Sequence, residues 1–111
     1  YALVLEELEA QFYQQGVATP NLIPQQDRTI FTTIRDHEVA HVQFLRQTLG
    51  AAARPSPRFD YTGGRGSGNG PYRDVFSNYE TFKAVAQAFE DTGVRAYKGQ
   101  APALIPFKDV L

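Results

Sequence analysis

The sequence contains no cysteine, no methionine and no tryptophan among its 111 residues. Without cysteine, disulfide frameworks, thiolate metal sites and cysteine nucleophiles are excluded. Because methionine is absent, Tyr1 is not a translation start, and we expect a processed chain or part of a longer one. No run approaches the roughly 18 apolar residues of a membrane span, so no transmembrane segment is predicted.

Charge of one sign is not in excess either. Eleven Lys and Arg against twelve Asp and Glu give a formal net charge of -1. A chain with this charge has no positive electrostatic field that would attract a polyanion. Nucleic acid is therefore not a predicted partner. Hydrophobic residues make up 42% of the chain and charged residues 21%, as in ordinary globular domains. This length predicts a single domain over residues 1–111.

Apolar residues recur at helical spacing in three segments, and no comparable strand pattern is present. Gly16 is expected to stop the first helix, and Gly50 lies just past the end of the second. Ser77 and Glu80 form an S-x-x-E capping box that is expected to open the third. The three predicted helices cover residues 1–15, 25–49 and 77–99.

Residues 51–76 hold five of the nine glycines and three of the seven prolines, and we interpret them as a loop. If the second and third helices run parallel, this loop crosses the whole bundle, which its length allows easily. The glycine run at 62–70 lacks both the G-x-x-x-x-G-K-[ST] order and a preceding strand, so it does not predict a phosphate cradle.

Each predicted helix places a carboxylate on its apolar stripe: Glu6 on the first, Glu38 on the second and Glu90 on the third. The second helix adds His41, three residues after Glu38. A buried carboxylate is costly unless it is paired or bound to a metal. Three such helices are typical of the interior of a di-metal carboxylate bundle, which makes Glu6, Glu38, His41 and Glu90 the candidate metal ligands.

Two other carboxylates on the first helix compete with Glu6. Glu9 lies about 60° from Glu6 on the helical wheel and is expected beside the site or at the surface. Glu7 is expected to point away from it. Tyr13, seven residues after Glu6, is interpreted as a core aromatic rather than a redox group.

A different metal motif shares two of the candidate residues. His37 to His41 fits H-E-x-x-H, in which both histidines bind zinc and Glu38 is the general base of a hydrolase. The metzincin extension is absent, so the third ligand would have to be Glu80 or Glu90. This alternative does not explain the inward carboxylates of the other two helices, and we favour the bundle.

Three runs of the sequence resemble the ferritin-like domain family that includes the desiccation-related and fungal stress-response proteins. They are LVLEELEAQFY at 3–13, IRDHEVAHVQFL at 34–45 and AQAFEDTGVRAY at 86–97, with PRFDY at 57–61 in the crossover. The resemblance covers nearly the whole chain. It implies an all-α ferritin-like four-helix bundle with a long crossover between helices 2 and 3, of which three helices are present.

The resemblance also implies a di-iron or di-manganese centre. Its ligands are one Glu on the first helix, E-x-x-H on the second, one Glu on the third and E-x-x-H on the fourth. Glu6, Glu38, His41 and Glu90 match the first three helices, while residues 107–111 would supply only the first turn of the fourth. The implied role is iron or manganese binding with oxygen or peroxide chemistry in stress protection.

An alternative function is a non-catalytic ferritin-like structural or interaction subunit of a larger assembly. An open face on a three-helix bundle would expose apolar surface and invite a protein partner or a second copy of the chain. Relatives commonly carry export signals, so the resemblance implies an extracytoplasmic location, periplasmic or secreted.

Overall fold

The computed structural model describes the backbone of residues 2–100 and the side chains of residues 3–91. Three α-helices account for most of this part: α1 (Ala2–Ala18), α2 (Arg28–Leu49) and α3 (Tyr79–Gln100). It also holds two short 3-10 turns, Gln25–Asp27 and Gly50–Ala52, and no strand. The all-α prediction is confirmed. The first turn of a fourth helix, predicted at 107–111, lies outside the described residues.

Helices α1 and α2 run antiparallel. The ring of Tyr13, late in α1, lies 6.2 Å from the ring of Phe31, early in α2. At the other end, His41 of α2 contacts Glu6 of α1. A short connection between two helices favours antiparallel packing. This packing places the face of α1 that carries Glu6 opposite the face of α2 that carries Glu38 and His41.

Helix α3 runs parallel to α2. The hydroxyl of Tyr79, at the start of α3, donates a hydrogen bond of 2.7 Å to Asp27, directly before α2. Further along α3, the Phe89 ring lies 5.0 Å from that of Phe12 in α1. The two helices therefore begin at the same end of the molecule, and the segment between them crosses back along the bundle. The predicted long crossover is confirmed.

The core is an aromatic cluster centred on Phe12, which is fully buried. Phe12 stacks on Phe82 of α3, with ring centroids 4.7 Å apart and planes within 9°. The crossover closes the cluster with Tyr61, whose hydroxyl donates to the Leu8 carbonyl at 2.7 Å. Aromatic pairs add about 0.5–1.5 kcal/mol each beyond area burial. The rings within contact distance of Phe12 are Tyr13, Tyr61, Phe76, Phe82 and Phe89.

The predicted end of α1 at Gly16 is wrong, since the helix continues to Ala18. A Cβ atom at Gly16 would overlap the ring of Phe82, so this glycine permits a close approach of α3 to α1 rather than a helix stop. Gly50 does follow the last residue of α2, with a φ of 55° that favours glycine.

The predicted capping box at the start of α3 is also wrong. The side-chain carbonyl of Asn78 accepts a 3.0 Å hydrogen bond from the backbone N–H of Glu80, so Asn78 caps the helix. Ser77 instead donates its hydroxyl to the carbonyl of Asp74. Asn and Ser are about equally good N-cap residues, so either of these neighbours could cap the helix, and the helix begins after the later one.

The glycine run of the crossover wraps around a carboxylate of its own. Asp60 accepts hydrogen bonds from the backbone N–H groups of Thr62, Gly66 and Gly68 at 2.9–3.0 Å. We call residues 60–70 the Asp60 loop. The Thr62 hydroxyl, followed by the amide of Gly68, lowers the pKa of Asp60 to about 2. The backbone amides of this loop could otherwise bind an external anion such as phosphate, but they already donate to the carboxylate of Asp60.

Candidate metal centre

Three predicted site residues come together between α1 and α2. Glu6, Glu38 and His41 each offer one ligand atom, and these atoms lie within 4.8 Å of one another. The His41 Nδ1 atom is 3.3 Å from Glu6 Oε2. The E-x-x-H spacing places Glu38 and His41 on one face of α2, and the antiparallel packing brings α1 against that face. All three side chains are partly buried.

One oxygen of Glu38 lacks a hydrogen-bond partner within this group. Its Oε2 atom is fully buried and has no hydrogen-bond partner among the described residues. Buried polar atoms without a partner are rare and costly. Such an oxygen is satisfied either by a cation or by a proton on a neighbouring carboxyl group. Two carboxylates and an imidazole form a donor set that suits first-row metals such as iron and manganese, so these residues fit a metal.

The electrostatics of Glu6 follow from the same crowding. Burial raises the pKa of Glu6 well above the usual range of a carboxyl group, and the adjacent Glu38 raises it further. The charges of Glu9 and Glu90 act on Glu6 in the same direction. A bound cation would reverse this balance by favouring the ionised carboxylates.

Glu90, the fourth predicted ligand, lies at the edge of the site. The structure does not include it in the group of Glu6, Glu38 and His41, and its side chain is exposed. Its Oε1 atom accepts a 3.0 Å hydrogen bond from the hydroxyl of the buried Tyr13. Burial, together with the charge of Glu90, raises the pKa of Tyr13, which keeps the phenol protonated and donating.

Glu9 was expected beside the site or at the surface, and the structure buries it. Its side chain is not at the surface: the residue is only 9% exposed. Burial raises the pKa of Glu9, and the charges of Glu38 and Glu90 raise it further. Glu6 and Glu9 form an E-x-x-E pair with the same spacing as Glu38 and His41. That spacing was the signal for a second inward carboxylate on α1.

Glu7 lies outside the group of Glu6, Glu38 and His41, as expected, but it is buried. Glu7 is 2% exposed and forms an ion pair with Arg46 of α2. Arg46 also donates to the carbonyl of Arg54 and to the hydroxyl of Ser56, at 3.1 and 2.8 Å. A paired and hydrogen-bonded charge can be buried where a lone one cannot. The helical period of α1 alone carries no information on this partner.

The H-E-x-x-H alternative requires both histidines at one ion. The side chain of His37 is exposed and is not in the group that contains His41. Instead, His41 shares its group with two carboxylates from different helices. Among the described residues, this arrangement favours a bundle-type site over the zinc hydrolase motif.

The sequence model of the ferritin-like domain matches residues 1–111. The chain belongs to the ferritin-like domain family. No curated protein and no solved structure matches the chain significantly. This ferritin-like domain carries a carboxylate and histidine group compatible with metal binding. The desiccation-related subgroup stays a prediction. In the part of the chain that the structure describes, no helix is long and apolar enough to cross a membrane.

Proposed function

We propose that this ferritin-like domain binds iron or manganese at Glu6, Glu38 and His41, and uses the metal in oxygen or peroxide chemistry that protects against stress. The observation that carries the proposal is the convergence of three ligand atoms on a fully buried Glu38 oxygen without a hydrogen-bond partner among the described residues. Family membership supports it, because bundle interiors of this type hold such metals.

The protein's own residues would hold the metal and shape its surroundings. Glu6 and Glu38 supply anionic oxygens, and His41 supplies an imidazole nitrogen. When bound, iron or manganese supplies the change of oxidation state that oxygen or peroxide chemistry needs.

Metal content tests the proposal with a matched pair of histidine variants. We expect wild-type protein loaded with Fe(II) or Mn(II) and then gel-filtered to retain metal in a stoichiometric amount by elemental analysis. His37→Ala should retain as much, because His37 is exposed and outside the group. His41→Ala should lose at least about tenfold in affinity, a loss of roughly 1.4 kcal/mol.

Two results would overturn this assignment. Wild-type protein that holds no metal after supplementation contradicts metal binding altogether. Loss of metal in His37→Ala as severe as in His41→Ala contradicts the bundle site and supports the H-E-x-x-H alternative. Fe(II) oxidation in air tests the redox part: Glu38→Ala should slow it to the rate of Fe(II) in buffer, and unchanged kinetics would exclude this site.

A second candidate function, the non-catalytic interaction module, is favoured by one observation. Ile30 and Phe44 of α2 are 59% and 50% exposed, and their fourteen-residue separation puts them on nearly the same side of the helix. Exposed apolar side chains on one side suit a partner. A chain that retains no metal but self-associates in light scattering would support this role instead.

A further inference from the structure

The crossover carries most of the exposed positive charge in the part of the chain that the structure describes. Residues 51–76 contain four arginines, two aspartates and no lysine, a net charge of +2, whereas residues 1–50 carry a net charge of -3. All four arginines are exposed, and none forms an ion pair among the described residues. They are Arg54, Arg58, Arg65 and Arg73.

The other described cations have partners of their own. Arg35, Arg46 and Lys83 each form an ion pair with a carboxylate. Arg28 donates to the carbonyl of Val17 at 3.1 Å. The formal net charge of -1 therefore excludes a positive field around the whole molecule, but it does not exclude a local one over the crossover.

The two acids of the crossover accept hydrogen bonds from groups other than these arginines. Asp60 accepts the backbone N–H groups of its own loop. Asp74 accepts hydrogen bonds from the side-chain amide of Asn78 and the hydroxyl of Thr81, both at 3.1 Å. Donors that occupy the oxygens of a carboxylate leave it less capacity to accept from a guanidinium group. The arginines are thus left to bind an anion outside the chain.

Two aromatic side chains fix the inner side of the crossover to the bundle. The rings of Tyr61 and Phe76 lie 5.3 and 5.7 Å from that of Phe12 in the core. The exposed side chains of this segment face solvent, away from that core. We call these exposed side chains the basic crossover surface, and they are Arg54, Arg58, Arg65, Tyr72 and Arg73.

Tyr72 gives this surface an amphipathic aromatic group. Its backbone N–H donates to the carbonyl of Thr62 at 2.9 Å, which ties it to the Asp60 loop. Its ring lies beside Gly63, where a Cβ atom would come within 3.4 Å of it, and the residue is still 50% exposed. Tyrosine is enriched where water meets a bilayer, because its ring is apolar and its hydroxyl is polar.

We propose that the basic crossover surface binds the anionic lipid headgroups of a bilayer in a peripheral contact that leaves the helices in water. The guanidinium group of arginine matches the geometry of a phosphate. A bilayer touches this one side of the molecule, whereas a nucleic acid that wraps around the chain also meets the negative charge of residues 1–50. Metal binding at Glu6, Glu38 and His41 is not required for this contact.

Co-sedimentation of the full chain with lipid vesicles tests the proposal. We expect the wild type to bind vesicles made of phosphatidylcholine and phosphatidylglycerol in equal parts, and not vesicles of phosphatidylcholine alone. Added salt should release the protein, because it screens exposed charges. The double variant Arg58→Gln with Arg65→Gln should lower the partition coefficient by about 25-fold, since each exposed arginine contributes about fivefold.

Arg35→Gln with Lys83→Gln is the matched control. It removes the same number of positive charges from outside the basic crossover surface, so it should bind the anionic vesicles as the wild type does. Because the sequence has no tryptophan, Tyr72→Trp introduces a single fluorophore. Its emission should move to shorter wavelength with the anionic vesicles only. Far-ultraviolet circular dichroism verifies that each variant is folded.

Four results would overturn the proposal. Wild-type protein that stays in the supernatant with anionic vesicles at low salt contradicts membrane binding. Equal binding to phosphatidylcholine vesicles contradicts its electrostatic basis. An equal loss in the two double variants shows that net charge, and not this surface, controls binding. Binding to a single-stranded oligonucleotide without binding to vesicles assigns the surface to a nucleic acid instead.

Discussion

Gly16 shows how a single absent side chain sets the distance between two helices. Alanine favours a helix interior over glycine by about 1 kcal/mol, so Gly16→Ala would stabilise an isolated α1. Here the added methyl group meets Phe82, which is fully buried and stacked on Phe12 and so cannot yield. Overpacking of this kind costs about 1–3 kcal/mol. We expect Gly16→Ala to lower the free energy of unfolding in urea by about 1 kcal/mol or more.

The Phe82→Leu background provides the control for this prediction. A smaller side chain at position 82 leaves room for the methyl group, so the same Gly16→Ala change should cost less there, or even stabilise. If Gly16→Ala is more stable than the wild type with Phe82 intact, the close contact between α1 and α3 is not the reason for the glycine.

Helical periodicity alone predicted that Glu6, Glu38 and His41 lie at one site, because all three follow the apolar stripes of their helices. Their role as ligands stays a prediction. The same reasoning did not foresee the burial of Glu7, because that burial depends on Arg46, thirty-nine residues away, and no pattern within α1 encodes the pairing. It could not decide whether Glu9 lies beside the site or at the surface, because a second acid one turn further on is usually solvated.

At the level of elements, the Asp60 carboxylate fixes the glycine-rich part of the Asp60 loop, residues 62–68, by accepting hydrogen bonds from its backbone. Because the pKa of Asp60 is lowered from 3.8 to about 2, its stabilising contribution is complete above pH 3.8 and is lost as the pH falls through about 2. We expect the amide resonances of Gly66 and Gly68 to titrate with a midpoint near pH 2 in nuclear magnetic resonance spectra.

Asp60→Asn removes the titrating group and should abolish this transition at both amides. The amide of Gly50, which lies at the end of α2, serves as an internal reference for general acid unfolding. A wild-type midpoint near 3.8 would mean that the loop amides do not hold the ionised carboxylate in solution.

Element ends were harder to predict than the elements themselves. Three helices and a long crossover follow from periodicity and from the concentration of glycine and proline at 51–76. The end of α1 and the cap of α3 did not, for different physical reasons. Gly16 is required by the close approach of the Phe82 ring on α3, which no pattern within α1 shows. Ser77 and Asn78 are neighbours with nearly equal capping strength, and their hydrogen bonds to Asp74 determine which of them caps the helix.

For the whole molecule, a cation between α1 and α2 would contribute to the stability of the fold. A ligand that binds only the folded state at a hundred times its dissociation constant stabilises it by about 2.7 kcal/mol. We expect Mn(II) to raise the unfolding temperature of the wild type by roughly 10 °C, since about 1 kcal/mol shifts a domain of this size by several degrees.

His41→Ala should show a markedly smaller rise at the same Mn(II) concentration, while His37→Ala should match the wild type. Addition of a chelator should return the wild type to its metal-free unfolding temperature. An equal rise in both histidine variants would indicate that Mn(II) stabilises the protein at another place.

The parallel course of α2 and α3 has an electrostatic consequence. Each helix carries a dipole with its positive end at the N-terminus, and two parallel dipoles side by side repel. The chain places an acid at both positive ends: Asp27 directly before α2, and Asp74 in the turn that leads into α3. Arg46 lies in the last turn of α2, at the negative end. Each such charge contributes about 0.3–1 kcal/mol at low salt. The long crossover therefore brings two positive helix ends to the same end of the molecule, where Asp27 and Asp74 stabilise them, and raising the ionic strength should weaken this stabilisation.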